Sequence, residues 1–172
     1  FFQVLFESFQ DTLVHFCHSA TTLTTFAAGH EIFHYGREAH AMLMPLTGTW
    51  EYTAGRHLHD STKVKIEEGG WMCEAALWIE WLHRGHLTIV KQSDLVIISS
   101  SNLQKSARKH SSLPLLRQYA FLFAKTIIKD AKQNQADDLW GTEYGLRSRM
   151  LESDESLREA LDTVDMNELH GN

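Results

Sequence analysis

Two stretches of this chain carry residue types that can do chemistry. In residues 69–90, GGWMCEAALWIEWLHRGHLTIV, a glycine pair precedes Glu74-Ala75-Ala76-Leu77, and His83, Arg84 and His86 close the segment. Gly69 and Gly70 tolerate positive φ and let a ligand approach the backbone with no Cβ in the way. Glu-Ala-Ala-Leu has good helix propensity, so the amides near Cys73, Glu74, Ala75 and Ala76 are expected as unpaired first-turn donors, which attract phosphate. Of the closing residues only Arg84 is certain to be charged at neutral pH. The segment reads as an anion-binding loop. The plain alternative is a Gly-rich turn, a buried helix carrying Trp71, Trp78 and Trp81, and a solvated basic turn.

The second stretch, His30-Glu31-Ile32-Phe33-His34, satisfies the H-E-x-x-H pattern, with His40 where the long zinc-protease motif has a third ligand. That chemistry needs two histidines one helical turn apart on a zinc ion and the glutamate as general base. Here Gly29 and Gly36 flank a run in which His30, Ile32 and His34 alternate with Glu31, Phe33 and Tyr35. Alternation is strand-like and sends successive side chains to opposite faces. A zinc protease is therefore only a remote alternative. His57, His59, His15, Cys17 and His18 are read as solvated residues, and Cys73 with His83 lacks the spatial support a nucleophilic pair requires. No catalytic residue, metal ligand or cofactor is assigned.

Elements must hold these residues, and the totals bound what they can be. A chain of 172 residues, 43% hydrophobic and 22% charged, can bury one good core. A net charge of −6 argues against a general nucleic-acid or anionic-membrane binder, so any anion site must be local. Two cysteines imply no disulfide framework and fit a reducing, cytoplasmic setting. No apolar run has membrane-spanning length and no signal-peptide pattern opens the chain. The start at Phe1-Phe2, without an initiator Met, suggests a piece of a longer protein, such as the cytosolic part of a membrane protein.

Residues 1–20 place Phe2, Leu5, Phe6, Phe9, Leu13 and Phe16 at helical spacing, an amphipathic helix. From Thr21 short runs rich in β-branched and aromatic residues follow: TTLTTF, EIFHY, AMLMPL, TWEYT, TKVKI and, beyond the loop, LTIVK and DLVIIS. Such spacing predicts a small barrel or sandwich, with Gly29, Gly36 and Gly48 at turns that demand positive φ and 54–60 as an exposed hairpin connection. Past Ser100 the period becomes helical. Ser101 with Gln104 reads as a capping box for a helix to about Lys109, and a longer helix runs from 111–114 to about Gln133. Its expected apolar face is Leu115, Leu116, Tyr119, Phe123, Ile127 and Ile128. DDLWGTEYG reads as a break before an acidic helix, from Ser153 to about Leu169.

A roll of about eight strands with a short helix and basic turn late in it, then trailing helices, resembles the cyclic nucleotide-binding domain family. Three patterns carry the likeness: the glycine series Gly29, Gly36, Gly48; Glu74-Ala75-Ala76-Leu77, similar to the Glu-x-Ala-Leu core of the phosphate-binding cassette; and His83-Arg84 feeding Thr88-Ile89-Val90 as the family's Arg-x-Ala-Thr segment does. The resemblance covers about 20–135. It implies a mainly β fold, a jelly-roll-like β-roll over 21–135 including lid helices, between an N-terminal helix (1–20) and a helical extension (136–172). It further implies a non-enzymatic regulatory module that binds cyclic AMP or cyclic GMP at Cys73, Glu74, Ala75, Ala76, His83, Arg84 and Thr88. Glu74 would accept from the ribose hydroxyl, the amides around Ala75 and Ala76 would hold the phosphate, and a basic side chain would pair with it. Movement of a helix within 113–133 would pass the signal to other domains of a channel or signalling parent, with homo-oligomerisation through that parent. Two positions depart from the pattern: Cys73 replaces the family's usual glycine, and His83 falls on the phosphate arginine with Arg84 one place late. Either Arg84 reaches the phosphate or the charged anchor is lost. An alternative implied role is a ligand-free homology domain whose pocket is filled by the protein itself.

Overall fold

Strand β4 (Ala41–Pro45) is apolar at every position, and β9 (Ser93–Ser99) is apolar along its centre, Leu95 to Ile98, because both of their faces are covered there. On one side Leu43 and Leu95 enter the interior of a roll with Phe33, Trp50, Tyr52, Met72, Leu87 and Ile89. On the other, Met42 and Ile98 meet Phe16 and Ala20 of helix α1 (Gln10–Ala20) and Leu103 and Ala107 of helix α3 (Ser100–Ala107). The computed structural model describes residues 10–56, 63–66, 68–110, 113–132 and 136–139.

Among these residues the remaining strands are β1 (Thr21–Phe26), β2 (Glu31–Phe33), β3 (Glu38–Ala39), β5 (Thr49–Ala54), β6 (Lys63–Ile66), β7 (Trp81–Leu82) and β8 (Gly85–Lys91). They form antiparallel sheets in the orders β1-β9-β4, β2-β8-β5-β6 and β3-β7. The roll expected from the strand runs is present, with β3 and β7 as two short additions that no run of alternating residues announces. Strand β8 shows the contrast with β9: Leu87 and Ile89 are buried, while His86, Thr88 and Val90 lie on the other face. Each large aliphatic interior side chain such as Leu87 or Ile89, fully buried, contributes roughly 1.5–3 kcal/mol.

Gly29, Gly36 and Gly48 have φ of 82°, 79° and 101°, as the turns between runs require. At Gly48 a Cβ would sit 2.0 Å from Ser93 Oγ, so close approach adds to the conformational demand.

Helix α2 (Ala75–Trp78) is a single turn, and α4 (Leu113–Ala131) packs over it, joining Leu122, Phe123 and Ile127 to Ala75, Ala76 and Trp81. Two helix expectations are corrected. The cap of α3 is Ser99, whose hydroxyl accepts from the Asn102 amide, and not Ser101, because β9 runs directly into the helix and leaves Ser99 as the last extended residue. On α4, Ile128 is exposed, and Leu122, beside Phe123, is buried instead. The expected acidic helix, the hairpin tip 57–60 and the apolar positions Phe2, Leu5, Phe6 and Phe9 lie outside the described residues. No helix among the described residues is long and apolar enough to cross a membrane.

Candidate functional site

The loop between Gly69 and α2 is held by a bridge between Met72 and Leu43 of β4, through two backbone hydrogen bonds of 2.9 Å. It then turns at Cys73, the only non-glycine with positive φ among the described residues (60°). This is where the family pattern has glycine. An L-residue there costs about 1 kcal/mol, so the chain keeps the backbone bend and accepts strain. The bend aims the Cys73 amide outward from the loop, and it donates to the carbonyl of Asp138 at 2.7 Å.

Asp138 is the centre of the site. It lies beyond α4 in the segment 136–139, is 1% exposed, and fills the space between the loop and β7. Its Oδ1 accepts from Trp81 Nε1 (2.8 Å) and from His83 Nδ1 (3.0 Å). Its Oδ2 accepts from the Arg84 amide (2.7 Å) and the Tyr52 hydroxyl (3.0 Å). Four N–H and O–H donors meet one buried carboxylate, with the Cys73 thiol a weaker fifth at 3.9 Å from Oδ1, the arrangement a desolvated anion needs. Since a carboxylate only accepts, His83 carries its proton on Nδ1. Phe33 fixes that ring from one face, stacked at 3.7 Å and 3°. Burial, reinforced by the Asp138 charge, pushes both the Tyr52 phenol and the Cys73 thiol above their ordinary ranges, so both stay neutral donors.

Glu74 is buried as well, but faces helices rather than an open cleft. Trp71 Nε1 donates to its Oε2 (2.9 Å), while Trp78 Nε1 (3.2 Å) and the Tyr119 hydroxyl of α4 (2.7 Å) donate to Oε1. Its carboxylate thus clamps the loop to the long helix. The Ala76 and Leu77 amides are spent on the turn itself, bonded to the carbonyls of Cys73 and Glu74.

The seven residues expected at the site therefore divide. Cys73, His83 and the backbone of Arg84 converge on Asp138. Ala75 and Ala76 are buried beneath α4, and Glu74 engages that helix. The Arg84 guanidinium is exposed and lies over the Trp81 ring, 5.4 Å from its centroid. Thr88 sits on the face of β8 opposite Leu87 and Ile89, apart from the cluster. Sequence reasoning missed Asp138, Tyr52 and Tyr119. The available signal was the sequence DDLWGTEYG, a break in helical pattern that places acids just past the expected lid. Cys73, His83 and Asp138 also bring a sulfur, a nitrogen and an oxygen within 4.8 Å of one another, as a metal site would, yet these atoms already satisfy one another. Residues 31–33, meanwhile, form β2 and residues 30 and 34 flank it outside any helix, so the zinc-protease motif has no helix to sit on.

No protein-family model matches the chain, and no curated protein matches its sequence. Solved structures do. The N-terminal domain of a transcriptional regulator from Streptomyces coelicolor A3(2) superposes with a TM-score of 0.60 at 15% identity, over 74% of this chain and 90% of that one. A cyclic nucleotide-binding-like protein from Brucella abortus gives 0.53 at 20% identity, over 62% and 97%. The C-linker/CNBHD of zELK channels, crystallized in the presence of cAMP, gives 0.56 at 17%, over 78% and 63%. With its strand roll, glycine turns, single-turn helix and covering α4, the chain has the fold of the cyclic nucleotide-binding domains.

Proposed function

We propose that this chain is a regulatory module whose anion site is occupied by its own segment 136–139, so that the regulated event is the release of that segment. One observation carries the reading: the Asp138 carboxylate, buried, takes four donors from β5, β7 and the turn into β8. One of them is His83, which stands in register with the family's phosphate-binding arginine. A phosphate and this carboxylate need the same donors, so cyclic AMP or cyclic GMP would bind only by displacing Asp138. Asp138 follows α4 in the chain, and α4 is tied to the loop through Tyr119 and Glu74. Release would therefore free the end of α4 and give neighbouring domains of a parent regulator or channel something to respond to. The functional module is non-enzymatic in this reading.

A latch worth about 3 kcal/mol leaves the site open less than about 1% of the time and weakens a competitor's apparent affinity about 150-fold. Calorimetry with cyclic AMP and cyclic GMP tests this on the wild type and on Asp138→Ala. The expected result is no heat from the wild type at about 1 mM nucleotide, a Kd of 1 mM being about 4 kcal/mol of binding. Binding by Asp138→Ala would assign the site to a cyclic nucleotide under self-competition. Silence from both would make the domain a ligand-free assembly element. Wild-type binding with a Kd of about 10 µM would remove the resident-occupant reading altogether.

A further inference from the structure

The outer face of the sheet β2-β8-β5-β6 carries a cluster that the Asp138 site does not use. His86 of β8 turns away from the interior, yet its side chain is only 13% exposed and neither ring nitrogen has a hydrogen-bond partner among the described residues. An imidazole always offers a donor, an acceptor or two donors, so a buried one with both nitrogens unpaired calls for an explanation, and an ion is one. Two residues of the His30-to-His34 motif stand beside it. Glu31 Oε1 is 2.6 Å from His34 Nδ1 and 3.8 Å from His86 Nδ1, and the donor atoms of all three residues lie within 4.8 Å of one another.

We propose that Glu31, His34 and His86 form a binding site for a divalent transition metal of the zinc class. Two ligands about 2.1 Å from a tetrahedral ion are about 3.4 Å apart, and the observed 2.6 and 3.8 Å bracket that separation. Glu31 and His34 are 39% and 51% exposed, free enough to adjust by under about 1 Å, whereas His86 is held by β8. Two imidazoles and one carboxylate suit zinc, nickel or copper better than calcium or magnesium. The motif thus supplies two ligands without its helix: the pairing of β2 with β8 brings in the third, His86, which sequence spacing does not reveal. His30 is not among them; it faces Phe26, ring to ring at 4.9 Å. The exposed side of the cluster leaves a fourth position for water, and the ion would cross-link the turn after β2 to β8.

The test uses the whole chain without a purification tag, stripped by chelator, and titrated with zinc chloride against a chromophoric chelator. One equivalent should bind with a Kd of about 10 µM or tighter. His34→Gln and Glu31→Gln, both at exposed positions, should each weaken binding at least about tenfold, while His40→Gln leaves it unchanged. Cobalt should bind without a thiolate-to-cobalt charge-transfer band, which separates this site from Cys73, His83 and Asp138. The proposal is overturned if 100 µM zinc gives no binding, if binding is unaffected in both variants, or if the thiolate band is present. Because Asp138 takes no part, either result leaves the self-occupied site where it stands.

Discussion

Asp138→Asn is the most informative single change, because it keeps the shape of the side chain and alters only what its two terminal atoms can do. In the native site Oδ2 faces the Arg84 amide and the Tyr52 hydroxyl, and Oδ1 faces Trp81 Nε1 and His83 Nδ1. The asparagine amide has one acceptor atom and one donor atom. Placed toward Arg84, its NH2 meets a backbone N–H that can only donate; flipped, it meets the Trp81 indole N–H, which can only donate too. Tyr52 can rotate its hydroxyl and His83 can change tautomer, but neither remedy reaches the two strict donors. At least one buried donor is therefore orphaned, and the charge-assisted bonds are lost as well, a cost of about 2–3 kcal/mol. Hydrogen exchange reads it directly. The Arg84 amide should lose about 30- to 150-fold in protection, with amides in the middle of β9 falling only as far as global stability does. Denaturant midpoints should fall to match, with little change in slope. Arg84 protection within twofold of the wild type together with stability within about 0.5 kcal/mol would refute the account of Asp138 as the resident anion.

Further expectations concern the surroundings of the site. Cys73 and Tyr52 hold their protons in the folded chain, whereas the unfolded chain releases them near pH 8.5 and 10. Their raised folded values mean that stability is complete below about pH 8.5 and falls above it, by up to about 1.4 kcal/mol per pH unit per group; urea melts from pH 7 to 10 check this, and Cys73→Ala should remove the thiol's share. Tyr119→Phe deletes the bond from α4 to Glu74 Oε1 and should cost about 1.5–3 kcal/mol, read by thermal unfolding. Gly85→Ala places a Cβ 2.5 Å from the Thr53 carbonyl and 2.6 Å from the Tyr52 ring, so a loss above about 2 kcal/mol is expected. Gly36→Ala meets nothing within 4 Å and should lose only about 1 kcal/mol, from its φ.

The pattern of short runs and glycines made the roll legible, because both signals are local: alternation follows from the pleat and positive φ from a turn. The loop was legible for the same reason, as was the long helix over it, although the face of α4 was misjudged at Ile128, where tertiary packing prefers Leu122. What stayed hidden is contact between distant parts. Trp81 and Asp138 are 57 residues apart, and Tyr52 and Asp138 are 86 apart. Nothing in the letters around Asp138 says that its carboxylate is buried; next to Asp137 it looks like a solvated turn. The partners of Glu74 within the chain were equally hidden, since the tryptophans and the tyrosine that donate to its oxygens approach from α2, the loop and α4 together.

Asp138 stands after α4 in the chain, while its donors all precede that helix. A growing polypeptide leaving the ribosome therefore presents the ring of donors first, empty, and supplies its plug only after the whole of α4 has emerged. On the self-occupied reading proposed above, any splice variant or protease cut that ends the product between α4 and residue 138 would yield a domain without its plug, open to whatever small anion the cell offers.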